Sequence, residues 1–208
     1  MVENVKLNVK ERLHQTAHNY GDSHTYINTL LPEFLSQLLA HLKISTVLDY
    51  GCGKGVLLDK LKSFDNKINW RGYDPFFSKY KIEPRSANVL ISLQALEHIE
   101  KDDVHDVLQH LIGLTENFFF LDIDLKPAVK TLSDGRNAHT CIAPSDWWVG
   151  MLSQKCSYIS MKISMSKTKE QESHLFVVGI PKTKYSRENL NLASSFSHEI
   201  FPFLEASD

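Results

Sequence analysis

A chain of 208 residues is long enough for one α/β domain with a sizeable core and short for two such domains. Its net charge of −2 argues against the strongly basic surface of a dedicated nucleic-acid or anionic-membrane binder, although a local basic groove stays open. There is no apolar run long enough for a membrane span, and residues 1–10 lack the apolar stretch of a signal peptide. Cys52, Cys141 and Cys156 form no CxxC pair, which favours a reducing, cytoplasmic compartment.

Helical and strand patterns alternate along the chain from residue 29 to residue 182. Apolar residues recur at helical spacing over 29–42. The later elements are predicted as strands at 46–50, 68–73, 88–93 and 118–123, helices at 56–64, 102–114 and 144–152, a short helix holding Glu97 and His98, and two final strands at 158–165 and 174–180. This order favours a doubly wound, mostly parallel, Rossmann-like α/β sheet with a C-terminal antiparallel hairpin that adds an edge strand.

The ends of the chain are less regular. We interpret 29–182 as one domain, preceded by a polar segment at 1–28 and followed by a tail at 183–208. The segment at 1–28 is either a lid over the ligand pocket or a piece of surface packing. The tail is predicted to dock loosely on the domain or to be partly mobile.

Gly51-Cys-Gly-Lys-Gly55 stands between the first predicted strand and a helix. Glycines there allow a sharp turn and close approach of a ligand, and ligands of such sheets bind beyond the carboxyl ends of the strands. A dinucleotide fingerprint, GxGxxG, requires glycine or alanine where this chain has Val56. The observed GxGxG, preceded by Asp49 and followed by Asp74 at the end of the next strand, instead resembles motif I of class I S-adenosylmethionine (SAM)-dependent methyltransferases.

The resemblance extends over about 47–180 and implies a seven-stranded type of sheet, SAM as cofactor and a methyltransferase activity. It implies that Asp49 orients the loop and the amino-acid end of SAM, and that Asp74 accepts hydrogen bonds from both ribose hydroxyls. The remaining residues assigned to this site are Tyr50, Gly51, Cys52, Gly53, Pro75, Leu93 and Phe76, the last beside the adenine. Residues 76–87 are too few for the usual helix and third strand, so that strand is expected to be reduced.

Gln94, Glu97 and His98 are spaced to share one face of a helix just after a strand. With Arg136-Asn-Ala-His139 they resemble the small-RNA 2′-O-methyltransferases, in which an acid-x-x-Glu-His helix and a later histidine bind a divalent ion. The ubiquinone-biosynthesis O-methyltransferases have a similar Glu-His arrangement. The resemblance implies Mg²⁺ or Mn²⁺ ligands at Gln94, Glu97, His98 and His139, with Gln94 in place of an acid, which lowers the charge of the site.

Two alternatives to a metal remain open for these residues. His139 or His98 is the candidate catalytic base if no ion is used, and a purely structural role is the other alternative. The loop at 126–140 is expected to overhang the site, where Arg136 would hold a phosphate or carboxylate of the substrate unless the loop is simply solvated. Trp147 and Trp148 are adjacent on a helix, so one should pack inside and the other, assigned as Trp148, should line the substrate entrance.

Three functions are compatible with these patterns. The first is O-methylation of a hydroxyl on a small molecule or sugar. The second is methylation of RNA at a ribose 2′-hydroxyl, against which stands the near-neutral charge of a chain with no appended RNA-binding module. The third is a non-catalytic SAM-binding subunit, which predicts cofactor binding without turnover and an exposed apolar patch for its partner.

Overall fold

Six strands form one sheet in the computed structural model, which describes residues 30–166 and 171–207. They are β1 (Thr46–Tyr50), β2 (Asn69–Tyr73), β3 (Ala87–Leu93), β4 (Thr115–Asp124), β5 (Cys156–Met165) and β6 (Glu172–Pro181). Their order across the sheet is β2-β1-β3-β4-β6-β5, and β6 alone runs against the other strands. The long apolar runs of β3 and β4 occupy central positions, where both faces of a strand are covered.

The C-terminal hairpin pairs as predicted, but its place in the sheet corrects one detail of the prediction. Strand β6 lies inside the sheet, between β4 and β5, and β5 forms the edge. Seven residues of β6 are buried in succession at its end, whereas most positions of β5 are half-buried or exposed. The more apolar strand of the hairpin therefore takes the interior position.

The segment between β2 and β3 contains no third strand of the family pattern. Residues 74–86 form a bend with one 3-10 turn, Ser78–Tyr80, and β2 ends the sheet on this side. The expected reduction of that strand is therefore complete in this chain.

Helices cover both faces of the sheet. They are α1 (Leu31–His41), α2 (Val56–Phe64), α3 (Val104–Gly113), α4 (Ser145–Ser153) and α5 (Arg187–Ser207). α1, α2 and α5 pack on the face that carries Ile91 and Phe120, while α3 and α4 pack on the face that carries Leu90 and Phe119. Across 30–166 and 171–207, none of the helices has both the length and the apolar character that a membrane crossing requires.

The prediction that residues 183–208 form a loosely docked or partly mobile tail is wrong, because most of this segment forms the longest described helix. Four side chains of α5 repeat every three or four residues and are buried against the sheet: Ala193, Phe196, Ile200 and Leu204. The ring of Phe196 contacts those of Phe118 and Phe120 on β4. The polar residues between these positions, and Pro202 inside the helix, obscure the pattern in the sequence. The proposed lid at 1–28 lies outside the described residues.

Candidate functional site

The glycine-rich loop lies at the carboxyl edge of the sheet and is held there by β2. Gly51 donates its N–H to the carbonyl of Tyr73 at 2.8 Å, and Gly53 donates to a carboxylate oxygen of Asp74 at 2.9 Å. The other oxygen of Asp74 accepts the N–H of Phe76 at 2.9 Å. One buried carboxylate thus ties the loop after β1 to the bend after β2, and each of its oxygens retains a second lone pair for a ligand.

Backbone geometry explains why glycine occupies two positions of this loop. Gly51 and Gly55 have φ angles of +82° and +80°, in the region that favours glycine. A Cβ on Gly51 would lie 2.5 Å from the Cβ of Ala95, and a Cβ on Gly55 would lie 2.1 Å from the hydroxyl oxygen of Tyr80. The loop therefore lies against the segment after β3 and against the bend after β2 more closely than a side chain permits.

We predict that Gly55→Ala lowers the free energy of unfolding by about 3 kcal/mol, because left-handed backbone strain adds to a clash with Tyr80. Gly135→Ala is the matched control, since Gly135 has φ +86° but nothing within 4 Å of its Cβ position. It should cost only the strain, about 1 kcal/mol. Urea denaturation of both variants measures the difference. Equal losses would show that the contact with Tyr80 is loose.

Asp49 brings a second buried carboxylate to this loop. It lies on β1, level with Gly72 of β2 and Ile91 of β3. Burial and, to a smaller degree, the charge of Asp74 raise the pKa of Asp49 to about 7. A cationic group bound here would favour the ionised form of Asp49 and lower that pKa. The loop thus combines tight backbone turns with two neighbouring buried acids, a combination suited to a positively charged ligand.

The other residues assigned to the cofactor divide between pocket and core. Cys52, Pro75 and Phe76 are half-buried on the loop and on the bend. Leu93 is buried at the end of β3 on the same face as Ile91. Tyr50 belongs to the core of the opposite face, and its hydroxyl is 2.9 Å from Nδ1 of His110 on α3. Its side chain therefore points away from the face that carries Asp49.

The segment after β3 and the loop at 126–140 bring Glu97, His98 and His139 together. Their candidate ligand atoms all lie within 4.8 Å of one another. Nδ1 of His98 donates to the carbonyl of Ala138 at 2.8 Å, and Nδ1 of His139 donates to the carbonyl of Lys126 at 2.5 Å. A carbonyl can only accept, so the neutral rings carry their lone pairs on Nε2, the state required of a metal ligand or a base.

Glu97 is fully buried, and neither carboxylate oxygen has a well-formed hydrogen bond to the described residues. Burial raises the pKa of Glu97 well above its usual value; nearby backbone amides offset part of this shift, and the charges of Asp122 and Asp124 add to it. A buried carboxylate without partners is costly unless a cation or donor joins it. These three residues therefore form a candidate cation site.

Gln94 does not join this group, which corrects the expectation that Gln94, Glu97 and His98 share one face of a helix. Only Leu96–His98 forms a helical turn, of the 3-10 type, and Gln94 precedes it with a left-handed φ of +55°. The side-chain amide of Gln94 lies 3.1 Å from Nδ1 of His174 on β6. The i, i+3, i+4 spacing predicts a shared face only in an α-helix, and the turn is too short for that geometry.

The comparisons with known proteins bear on the fold. No protein-family model matches the sequence, and a search of curated proteins finds no match. Among solved structures, an O-methyltransferase family protein from Burkholderia thailandensis matches 73% of this chain with 13% identity and a TM-score of 0.52, although this chain spans only 55% of that protein. A second match is the plantazolicin methyltransferase BpumL, solved with a desmethylPZN analogue and S-adenosylhomocysteine (SAH). The match covers 86% of this chain and 100% of the BpumL chain, with 12% identity and a TM-score of 0.55.

A third match, DhpI bound to SAH, covers 83% of this chain and 96% of its own, with 14% identity and a TM-score of 0.50. The chain has the SAM-dependent methyltransferase fold. This confirms the fold class that was predicted from the sequence. In the methyltransferase fold, the glycine loop, Asp49 and Asp74 occupy the carboxyl edge, where ligands of doubly wound sheets bind.

Two expectations about the substrate side of the methyltransferase fold change with the structure. Trp148 is fully buried in the core between α4 and the sheet, so it does not line an entrance; Trp147 is half-buried, with the ammonium of Lys101 over its ring at 5.4 Å. Arg136 is exposed but already pairs with Asp134 at 2.7 Å and with Glu100 at 2.8 Å. An anionic substrate at Arg136 would have to compete with both carboxylates.

Sequence reasoning missed two residues at the same edge of the sheet. Asp122 near the end of β4 and His174 near the start of β6 form a pair, with an oxygen of Asp122 3.1 Å from Nδ1 of His174. Both are polar residues on strands whose central positions on the same face are apolar, such as Phe120 and Phe176. A polar side chain at an inward position near a strand end is the signal that points to them.

Proposed function

We propose that this protein is a SAM-dependent methyltransferase that acts on a hydroxyl oxygen of a small molecule or sugar. The observation that carries the proposal is the pair of adjacent buried acids, Asp49 and Asp74, around a glycine loop at the carboxyl edge of a methyltransferase fold. SAM carries an ammonium, a sulfonium and two ribose hydroxyls. These groups complement the two acids.

The acids and the loop have separate tasks in the proposed reaction. Asp74 accepts hydrogen bonds from the ribose hydroxyls while it keeps the N–H of Gly53 and of Phe76. Asp49 attracts the amino-acid end of SAM, whose ammonium stabilises the ionised carboxylate. Transfer is then an in-line displacement at the sulfonium methyl, and positioning of donor and acceptor supplies most of the rate.

Glu97, His98 and His139 would hold a divalent cation beside the acceptor hydroxyl. The donor set fits Mg²⁺ or Mn²⁺ with few protein ligands, because Glu97 offers a carboxylate without partners and the two imidazoles are oriented by backbone carbonyls. Such an ion would lower the pKa of the hydroxyl. The chain itself fixes both histidine rings through the loop at 126–140, in which Asn137 accepts the N–H of Ala128 and of His139.

The same three residues favour a second candidate function, methylation of a ribose 2′-hydroxyl in RNA. They are the residues that resemble the metal-binding group of the small-RNA 2′-O-methyltransferases. Against this stands the net charge of −2, because RNA binding depends on neutralising phosphates. Filter binding of a short RNA across salt concentrations separates the two candidates: a steep loss with salt supports RNA, and no binding supports the small-molecule function.

The test of the proposed function combines binding with turnover. Isothermal titration calorimetry with SAM and SAH measures cofactor binding. Transfer of a labelled methyl group from SAM is then assayed with catechol, with a mixture of simple sugars and with a short RNA, each with and without EDTA. Binding together with chelator-sensitive labelling of one acceptor is expected. Failure of SAM and SAH to bind would overturn the proposal, and binding without any transfer would favour a non-catalytic SAM-binding subunit.

The affinity for SAM should depend on pH through Asp49. Its pKa of about 7 in the free protein means that, below pH 7, SAM must displace a proton from Asp49 before the ionised acid can hold the ammonium. We expect the Kd to rise about tenfold between pH 7 and pH 5.5. Asp49→Asn should bind SAM more weakly with a flat profile, whereas Asp59→Asn on the exposed side of α2 should keep the slope. A flat profile for the unchanged protein would remove Asp49 from the cofactor site.

A further inference from the structure

Asp122 and His174 form a buried acid–imidazole pair beside the proposed cofactor site. The side chain of Asp122 is 1% exposed and that of His174 is 16% exposed. Nδ1 of His174 lies 3.1 Å from the carboxylate of Asp122, and the ring stacks on Phe176 at 5.8 Å between centroids. The imidazole is therefore fixed by an acid on one nitrogen and by an aromatic plane, and part of the ring remains accessible.

The register of the sheet places this pair on the same face as Asp49. Asp49 on β1 is paired with Ile91 on β3. Two residues farther along β3, Leu93 is paired with Asp122 on β4, and Asp122 is paired with Phe176 on β6. Paired residues of neighbouring strands share a face, as do residues two apart on one strand. Asp49, Asp122 and His174 therefore project from one face near the carboxyl edge. Two strand spacings, about 10 Å, separate β1 from β4, and β6, which carries His174, lies one spacing farther.

Gln94 connects this pair to the turn that carries Glu97. Its N–H donates to the carbonyl of Asp122 at 2.9 Å, and its amide faces Nδ1 of His174 at 3.1 Å. Since Nδ1–H donates to Asp122, the amide oxygen suits this contact better than the amide nitrogen, which requires the side-chain amide of Gln94 to turn by 180°. The carboxylate of Asp122 can only accept, so it holds the ring with Nδ1 protonated and with the lone pair on Nε2.

The surroundings of His174 keep the ring basic. Burial lowers the pKa of His174, but the hydrogen bond to Asp122 and the charges of Asp122 and Asp124 outweigh burial and the opposing charge of Lys126, so the pKa is raised overall. An imidazole that is oriented by a carboxylate, with its lone pair on Nε2 and its pKa raised, is a suitable general base.

We propose that His174 is the catalytic base that removes the proton from the acceptor hydroxyl, oriented by Asp122. This inference rests on the proposed function. It assigns the base outside the group of Glu97, His98 and His139, whose imidazoles are then available to a cation. In the transfer step the hydroxyl oxygen bonds the methyl carbon, the bond between that carbon and sulfur breaks, and its electron pair stays on sulfur to give SAH. The hydroxyl proton passes to Nε2 of His174 and is later released to water.

The first test needs no acceptor. The histidine ring resonances of the protein are compared by NMR at pH 8 in complexes with SAM and with SAH, and His174→Gln identifies the His174 signal. SAM and SAH differ by one charged methyl group, so a ring beside that group should shift between the two complexes, while exposed His198 on α5 should not. No shift at His174 would overturn the proposal. Failure of both ligands to bind would instead remove the proposed function.

The second test measures turnover with whichever of catechol, simple sugars or short RNA is methylated. His174→Ala should lower kcat about 100-fold or more, the contribution expected of a general base, with Kd for SAM and KM for the acceptor within about twofold. Added imidazole should restore part of kcat in His174→Ala, which a purely structural role would not allow. Asp122→Asn should lower kcat less, and His198→Gln should leave it unchanged. An unchanged kcat in His174→Ala would overturn the proposal, and so would a loss of kcat that imidazole does not restore. If none of these acceptors is methylated, the NMR comparison of the SAM and SAH complexes decides.

Discussion

Replacing Asp74 with asparagine is expected to weaken SAM binding by at least 100-fold. The carboxylate accepts two backbone N–H groups and, in the proposed complex, two ribose hydroxyls. Hydrogen bonds to a charged acceptor contribute about 1.5–3 kcal/mol each, and an amide offers one acceptor oxygen instead of two. Calorimetry with SAM and SAH measures the loss.

Weaker binding in Asp74→Asn could result from a loosened glycine loop or from a lost ribose contact, and a second measurement separates these two causes. SAH and its 2′-deoxy analogue should differ in affinity about tenfold in the unchanged protein and hardly at all in Asp74→Asn. Asp65→Asn is the matched control, because Asp65 also accepts a backbone N–H, from Lys67 at 2.7 Å, but follows α2 at the opposite end of the helix from the glycine loop. If Asp74→Asn still binds SAH about tenfold more tightly than the 2′-deoxy analogue, Asp74 stabilises the glycine loop and does not bind the ribose.

The second large effect is expected at the group of Glu97, His98 and His139. His139→Ala should lower turnover about 1000-fold and leave the Kd for SAM within about threefold, because this group lies on the acceptor side of the site. Glu97→Gln should act in the same direction, since it removes the carboxyl group that would ionise to bind a cation while preserving the size of the side chain. His105→Ala, on the exposed face of α3, is the control for histidine removal.

A direct metal measurement separates a cation site from a histidine base. Mn²⁺ binding followed by electron paramagnetic resonance should be detectable in the unchanged protein and lost in Glu97→Gln. Because the pKa of Glu97 is raised, its carboxyl must release a proton when an ion binds, so Mn²⁺ affinity should increase with pH. Loss of turnover without any Mn²⁺ binding would leave the histidines in roles that need no ion, and unchanged turnover in His139→Ala would remove that residue from the reaction.

Much of the sheet was predictable because each central strand is a short apolar run between polar turns. β1, β3 and β4 follow from such runs, and the glycine loop with Asp49 and Asp74 follows from spacing along the chain. The inward position of β6 was not predicted, because periodicity gives the faces of a strand but not its neighbours. The unbroken run from Leu175 to Ile180 did contain a signal, since strands covered on both faces lack alternation.

The candidate site was less predictable because its contacts join distant parts of the chain. Glu97 and His139 come together through a loop that Asn137 organises, and the local sequence does not specify that geometry. Gln94 illustrates the limit of spacing arguments: helical spacing requires a full helical turn, and a left-handed residue followed by a 3-10 turn sends the side chain to β6. Trp148 illustrates another limit, since two adjacent aromatic residues do not reveal which one is buried.

The long final helix has a consequence for the gene as well as for the protein. Phe196, Ile200 and Leu204 of α5 belong to the core that holds the aromatic rings of β4. A stop codon or frameshift after residue 186 would therefore leave those rings in water and produce a chain prone to aggregate. Nonsense mutations within α5 should be as damaging as those in the middle of the domain.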